Sequence, residues 1–149
     1  MAWDVVKYSK ISVMYPPTWH MTKESLGAQT RVTLTPDSMK SLEMRLVEIY
    51  EFPLTGNHTY ESFKTIFPAM LKAKFGSEVQ IPKIEEISFK DHMALYADIK
   101  SELPSKAYAL NAGSAIYVII LQQRRWIHTP DPGMERDEKA ILNSITFHK

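Results

Sequence analysis

Ala115-Ile116-Tyr117-Val118-Ile119-Ile120-Leu121 is seven apolar residues in a row, four of them β-branched, with Gly113-Ser114 before and Gln122-Gln123 after. Successive side chains of a strand point to opposite faces, so a strand buried on one side alternates between apolar and polar residues. This run does not alternate. Both of its faces must be covered, which makes it a central strand with material packed on each side. It is also far short of the roughly 20 apolar residues that a membrane helix needs.

Outward from that run the chain reads as a set of layers. On its N-terminal side, Asn111-Ala112-Gly113-Ser114 is a hairpin loop that follows a strand over 106–110. Before it, Met93, Leu95, Ala97 and Ile99 alternate with polar or small residues. Lys90-Asp91-His92 is a tight turn that joins this strand to one over 84–90. Turns this short make consecutive strands antiparallel neighbours. Upstream, Tyr60, Phe63, Phe67, Met70, Leu71 and Phe75 recur at helical spacing. Thr59 is the N-cap, Glu61 suits the helix dipole, and Gly76 stands just past the end. Pro68 inside this stretch predicts a kinked helix rather than two helices.

Nearer the N-terminus, 5–8 and 11–15 read as strands, and Pro16-Pro17 ends the ladder because proline has no N–H to donate. Tyr15-Pro16-Pro17-Thr18-Trp19 is then a rigid corner whose Trp plugs the edge of the core, with an exposed aromatic platform for a partner as the alternative. Residues 21–26 carry no decisive pattern. Gln29 to Thr35 alternates, with Val32 and Leu34 on one face. At Leu46-Val47 the apolar phase changes, which predicts either a bulge or burial on both sides. After the central strand, Asp131 and Pro132 start a second helix whose thin apolar stripe is Met134, Ile141 and Leu142. Ile145-Thr146-Phe147 closes the chain as a short strand or extended tail. The expected architecture is α+β: one domain over 1–149, with a mostly antiparallel sheet of about six strands flanked by helices on both faces as an α/β/α sandwich.

Composition narrows the function classes. A formal net charge of +1 gives no push toward nucleic acid or anionic membrane. The absence of Cys excludes disulfides, thiolate metal sites and a Cys nucleophile. The N-terminus lacks a basic region followed by an apolar one, so the expected location is cytoplasmic, with an exported protein whose leader was removed as the alternative. No phosphate loop, nucleophile elbow or zinc-protease motif is present, so no catalytic residue, cofactor or metal ligand is assigned. His128, Asp131 and Glu135 come nearest to a metal set, but their spacing matches no known pattern and reads better as a surface His, a helix cap and a solvated Glu. Glu85-Glu86 and the Asp98/Glu102 region read as solvated strand faces.

The densest basic-aromatic cluster is Arg124-Arg125-Trp126 with His128 close behind. Arginine pairs bidentately with carboxylates and Trp anchors interfaces, so these four residues are the candidate protein-interaction surface. The competing explanation is a strand end with solvated arginines and a Trp tucked under the last helix.

Three features in order resemble the PsbP family: Tyr8-x-x-Ile11-Ser12-Val13-x-Tyr15-Pro16-x-x-Trp19, a mid-chain helix after a strand ending in Phe52-Pro53, and Ile141-Leu142-Asn143-Ser144-Ile145-Thr146-Phe147. That family comprises the extrinsic subunit of the photosynthetic oxygen-evolving complex and its relatives, and the Ran-binding Mog-type proteins share its fold. The resemblance implies an α/β/α sandwich and a binding or assembly factor rather than an enzyme. The family's metal-site histidines have no matching motif here, so the resemblance points to a non-photosynthetic member. The expected function is a non-enzymatic interaction or assembly factor with a protein partner. A small-ligand or metal-binding domain is the alternative, and a small hydrolase is third.

Overall fold

The computed structural model describes residues 2–27, 29–36, 43–76, 80, 83–100, 105–125 and 132–149. Its elements are β1 (Asp4–Lys7), β2 (Ile11–Tyr15), β3 (Trp19–Leu26), β4 (Gln29–Pro36), β5 (Glu43–Pro53), α1 (Tyr60–Phe75), β6 (Glu85–Phe89), β7 (His92–Ile99), β8 (Ser105–Asn111), β9 (Ala115–Arg125), α2 (Pro132–Asn143) and β10 (Thr146–Phe147).

The uninterrupted apolar run lies in β9, the middle strand of a seven-stranded antiparallel sheet ordered β3-β4-β5-β9-β8-β7-β6. Its two faces enter two separate cores. Tyr117, Ile119 and Leu121 pack with Ile11 and Val13 of β2 and with Ile141 and Leu142 of α2. Ile116, Val118 and Ile120 pack with Phe63, Phe67 and Leu71 of α1. Covering each such side chain stabilises the fold by about 1.5–3 kcal/mol, so the middle of the sheet holds both layers on.

The expected six-stranded sheet with a helical layer on each face is corrected in two ways. Among the described residues the sheet has seven strands, and a second sheet of three, ordered β1-β2-β10, joins α2 over the face opposite α1. The reason lies at Pro16-Pro17. Without two N–H groups the chain cannot continue one ladder, so it turns there, with Trp19 N–H bonded to the Pro16 carbonyl at 2.9 Å, and enters the other sheet. Trp19 is buried, and its indole N–H reaches Asp137 of α2 at 3.3 Å, as a corner plug should.

At Leu46-Val47 there is no bulge. β5 runs in unbroken register against β9, and 46–49 is buried on both sides. The hairpin turn Lys90-Asp91 has φ of 48° and 68°, the left-handed pair that a two-residue type I′ turn requires. Lys90 ties that turn to the C-terminal segment, donating from Nζ to the carbonyls of Asn143 and Ile145. Asp131 and the opening residues of the predicted second helix before Pro132 lie outside the described residues.

Candidate functional site

α1 forms where its caps predict. Thr59 Oγ1 accepts from Ser62 N–H at 3.1 Å and Ser62 Oγ accepts from Thr59 N–H at 2.9 Å, a reciprocal box that satisfies two of the amides a helix start leaves unpaired. Gly76, at φ 94°, closes the other end by bonding to the Lys72 carbonyl. Pro68 removes one backbone bond at a cost of about 3 kcal/mol. The helix continues through it because Phe67 and Leu71 on either side are fully buried.

Beside the buried row Phe63-Phe67-Leu71 runs a second row, Ser62-Ile66-Met70-Lys74, one helical turn apart at each step. This second row faces a trough against β5. Two hollows that share Gln29, Phe52 and Ile66 make it up. One has a volume of about 270 Å³, with Tyr50, Met70, Leu71, Lys74 and Ile120 around it. The other, about 390 Å³, extends toward the helix start past Leu54, His58, Thr59 and Phe63. Ile66 lines both and is 40% exposed, high for a large apolar side chain flanked by Phe63 and Phe67.

The Lys74 end of the trough rests on a buried carboxylate. Glu48 is only 5% exposed. Lys74 Nζ lies 2.6 Å from it, Tyr50 Oη donates to it at 2.9 Å, and Arg31 lies at 3.9 Å. Lys74 also donates to Tyr50 Oη at 3.3 Å. Arg31 turns its other end to Glu24 on β3 at 2.7 Å. Hydrogen bonding to Tyr50, and then to Glu24, raises the Arg31 pKa above its ordinary value. Two cations therefore converge on one buried anion.

The opposite face of the sheet holds a tyrosine cluster. Tyr117 Oη donates to Glu51 at 2.6 Å, and Tyr8 meets the Tyr117 ring edge-on at 5.2 Å. Burial, then the bond to Glu51, pushes the Tyr117 hydroxyl up to about 12. Burial, followed by the charge of Glu51, raises Tyr8 as well.

The sheet also ends in an unusual edge. Trp19 is buried, but the remaining seven residues of β3 are exposed. β3 pairs with β4 on one side, and no described strand lies on its other side.

Arg124 and Arg125, two of the four residues expected to form the interaction surface, end β9. The backbone register sets Arg124 opposite Met44 and Arg125 opposite Glu43. Trp126 and His128 lie outside the described residues, so the structure does not decide whether the four form one surface. Glu135 pairs with Lys139 at 3.5 Å, as a solvated helix face does. Among the described residues no three His, Asp or Glu are grouped to hold a metal ion. His92 stacks on Phe147 at 3.7 Å, and His148 Nε2 meets Ser12 Oγ at 2.5 Å, so both hold the C-terminal strand.

Sequence reasoning missed Glu48 and Lys74, which stand apart in the chain and meet only through β5 and α1. The spacing of Ile66, Met70 and Lys74 was a legible signal, because it doubles the apolar stripe of α1 beyond what one core can take. The described residues contain no helix long and apolar enough to cross a membrane.

No family model matches the chain, and no curated protein matches it. Among solved structures it is similar to the solution structure of cyanobacterial PsbP (CyanoP) from Synechocystis sp. PCC 6803. That likeness has a TM-score of 0.59 and 12% identity over 99% of this chain and 93% of that one. At that identity the likeness speaks for architecture alone, and the conclusion it supports is that this chain has a PsbP-like fold.

Proposed function

We propose that this chain is a non-enzymatic, single-domain protein-interaction or assembly factor, and that an extended segment of its partner adds to the outer edge of β3. The observation that carries this reading is the edge itself, an eight-residue strand exposed on both faces along seven residues. Long bare edges are a liability that proteins cover or break up. One left open is a template for an added strand, whose main-chain bonds supply affinity and whose alternate side chains supply specificity. Met21 and Lys23 point to one face and are two residues apart, so the fitting segment carries an apolar residue and an acidic residue at the same spacing.

The segment bearing Arg124, Arg125, Trp126 and His128 is proposed as a second contact on the same partner, with arginine pairing carboxylates and Trp as the anchor. The chain has no Cys, so it forms no disulfide in either an oxidising or a reducing compartment, and the assay needs no redox control.

The test starts by cross-linking the partner in native extract and purifying it. Hydrogen exchange is then followed on the reconstituted complex. The β3 amides that point outward exchange quickly in the free protein and become protected in the complex. Lys23→Glu weakens the complex at least tenfold, and Arg125→Ala with Trp126→Ala weakens it further. A stable complex whose β3 amides stay unprotected refutes the edge reading.

A further inference from the structure

We propose that the trough between α1 and β5 is a binding site for an unbranched acyl-chain carboxylate, with the tail along Phe52, Ile66 and Met70 and the head at Lys74. This does not rest on the edge-strand reading, since the site lies on a different surface.

Shape is the first reason. The two hollows, about 270 and 390 Å³, run on from one another through Gln29, Phe52 and Ile66 along one row of the helix. From Ser62 to Lys74 that row is about 18 Å long at 1.5 Å per residue. The site is long and narrow, as an acyl chain is, rather than round like a nucleoside or a sugar. Its floor, Leu71 and Ile120, is fully buried and apolar, and its midpoint, Ile66, remains exposed. Apolar surface left open in a concave site is what a ligand tail covers.

Charge is the second reason, and it selects a carboxylate over other amphiphiles. At the Lys74 end two cations face one buried carboxylate, Glu48. The second anion, Glu24, sits on the exposed edge strand and engages the far end of Arg31. Lys74 Nζ has three N–H donors, and Glu48 and Tyr50 Oη account for two. The third is available to an incoming carboxylate, and a charge-assisted bond there fixes the head. A cationic head would instead meet the Lys74 ammonium, the charged group of the lining at that end. The opposite end carries neutral groups, Thr55, Thr59 and Ser62, together with His58, so the ligand has a defined direction.

The experiment titrates the purified protein with laurate, methyl laurate and dodecylamine, all below their aggregation concentrations, by calorimetry and by NMR with carboxyl-labelled laurate. Laurate binds one per chain and gives contacts from its chain protons to the Ile66 and Met70 methyl groups. Methyl laurate binds at least tenfold more weakly, and dodecylamine does not bind. Ile66→Glu, at an exposed position that leaves the fold intact, abolishes laurate binding. Lys74→Met removes the preference for the acid over the ester. Laurate failing to bind overturns the proposal, as does Ile66→Glu binding it unchanged. Equal affinity for laurate and its methyl ester also overturns it, because the head would then make no charged contact. Each of these failures leaves the edge-strand reading intact.

Discussion

Replacing Lys74 with Met tests the buried anion at Glu48 directly. The Lys74 ammonium lies 2.6 Å from a carboxylate that is almost fully buried. At an effective dielectric of about 20, that distance corresponds to a gross attraction of about 6 kcal/mol. Much of this repays the desolvation of Glu48, so the net value is smaller. Breaking a buried pair from one side costs about 3–5 kcal/mol, because the other charge is left behind. Here Arg31 at 3.9 Å and Tyr50 at 2.9 Å remain to hold the carboxylate, which places Lys74→Met near the low end, at about 3 kcal/mol. In a domain of this size that lowers the melting temperature by roughly 6–12 °C.

The reverse change is cheaper. After Glu48→Gln the Lys74 side chain, 23% exposed, swings to water, and the cost is about 1 kcal/mol. The double variant then costs less than the sum of the two, and the coupling is read from a double-mutant cycle in urea. Salt separates this pair from a surface pair: raising NaCl from low to high concentration leaves the coupling nearly unchanged, since screening acts weakly on buried charges. A Lys74→Met variant as stable as the parent, or a coupling that disappears in salt, refutes the description of Glu48 as a buried, paired anion.

Three further outcomes follow from the same structure. The Tyr117 pKa is raised to about 12, so stability is intact below pH 10 and falls as pH rises toward 12, where the unfolded chain has lost the proton that the folded one keeps. The Tyr117 share of that loss is roughly 3 kcal/mol, so in Tyr117→Phe the alkaline fall is shallower by about that amount, while the share of Tyr8 remains, as read by alkaline unfolding curves. Thr59→Ala removes one half of the capping box and lowers stability by about 1 kcal/mol, with exchange quickened first at the Ser62 and Phe63 amides. Asp91→Gly, at φ 68°, relieves a left-handed residue and raises stability by about 0.5–1 kcal/mol in urea, whereas Lys90→Gly loses the bonds to Asn143 and Ile145 and destabilises.

The sequence by itself determined what depends on near neighbours along the chain. The seven apolar residues of β9 required cover on both faces and received it from Phe67 on one side and Val13 on the other. Thr59 and Gly76 bounded α1 because caps act over one turn. Ile11, Val13 and Tyr15 alternated because a strand facing one core must. The closing Ile145-Thr146-Phe147 was legible as a short strand or extended tail, and Thr146–Phe147 is a strand, paired with β2.

Tertiary structure decided everything that depends on which edges meet. Residues 21–26 had no pattern because β3 is exposed on both faces, and no burial selects its residues. The division into sheets of seven and three turned on where Pro16-Pro17 released the chain, and local propensity does not say which ladder a released strand joins. The trough arose in the same way. Glu48 and Lys74 are ordinary charged residues in the sequence, and they become a site only because β5 and α1 pack side by side. Packing over long sequence separation brings such groups together, and no window along the chain contains both.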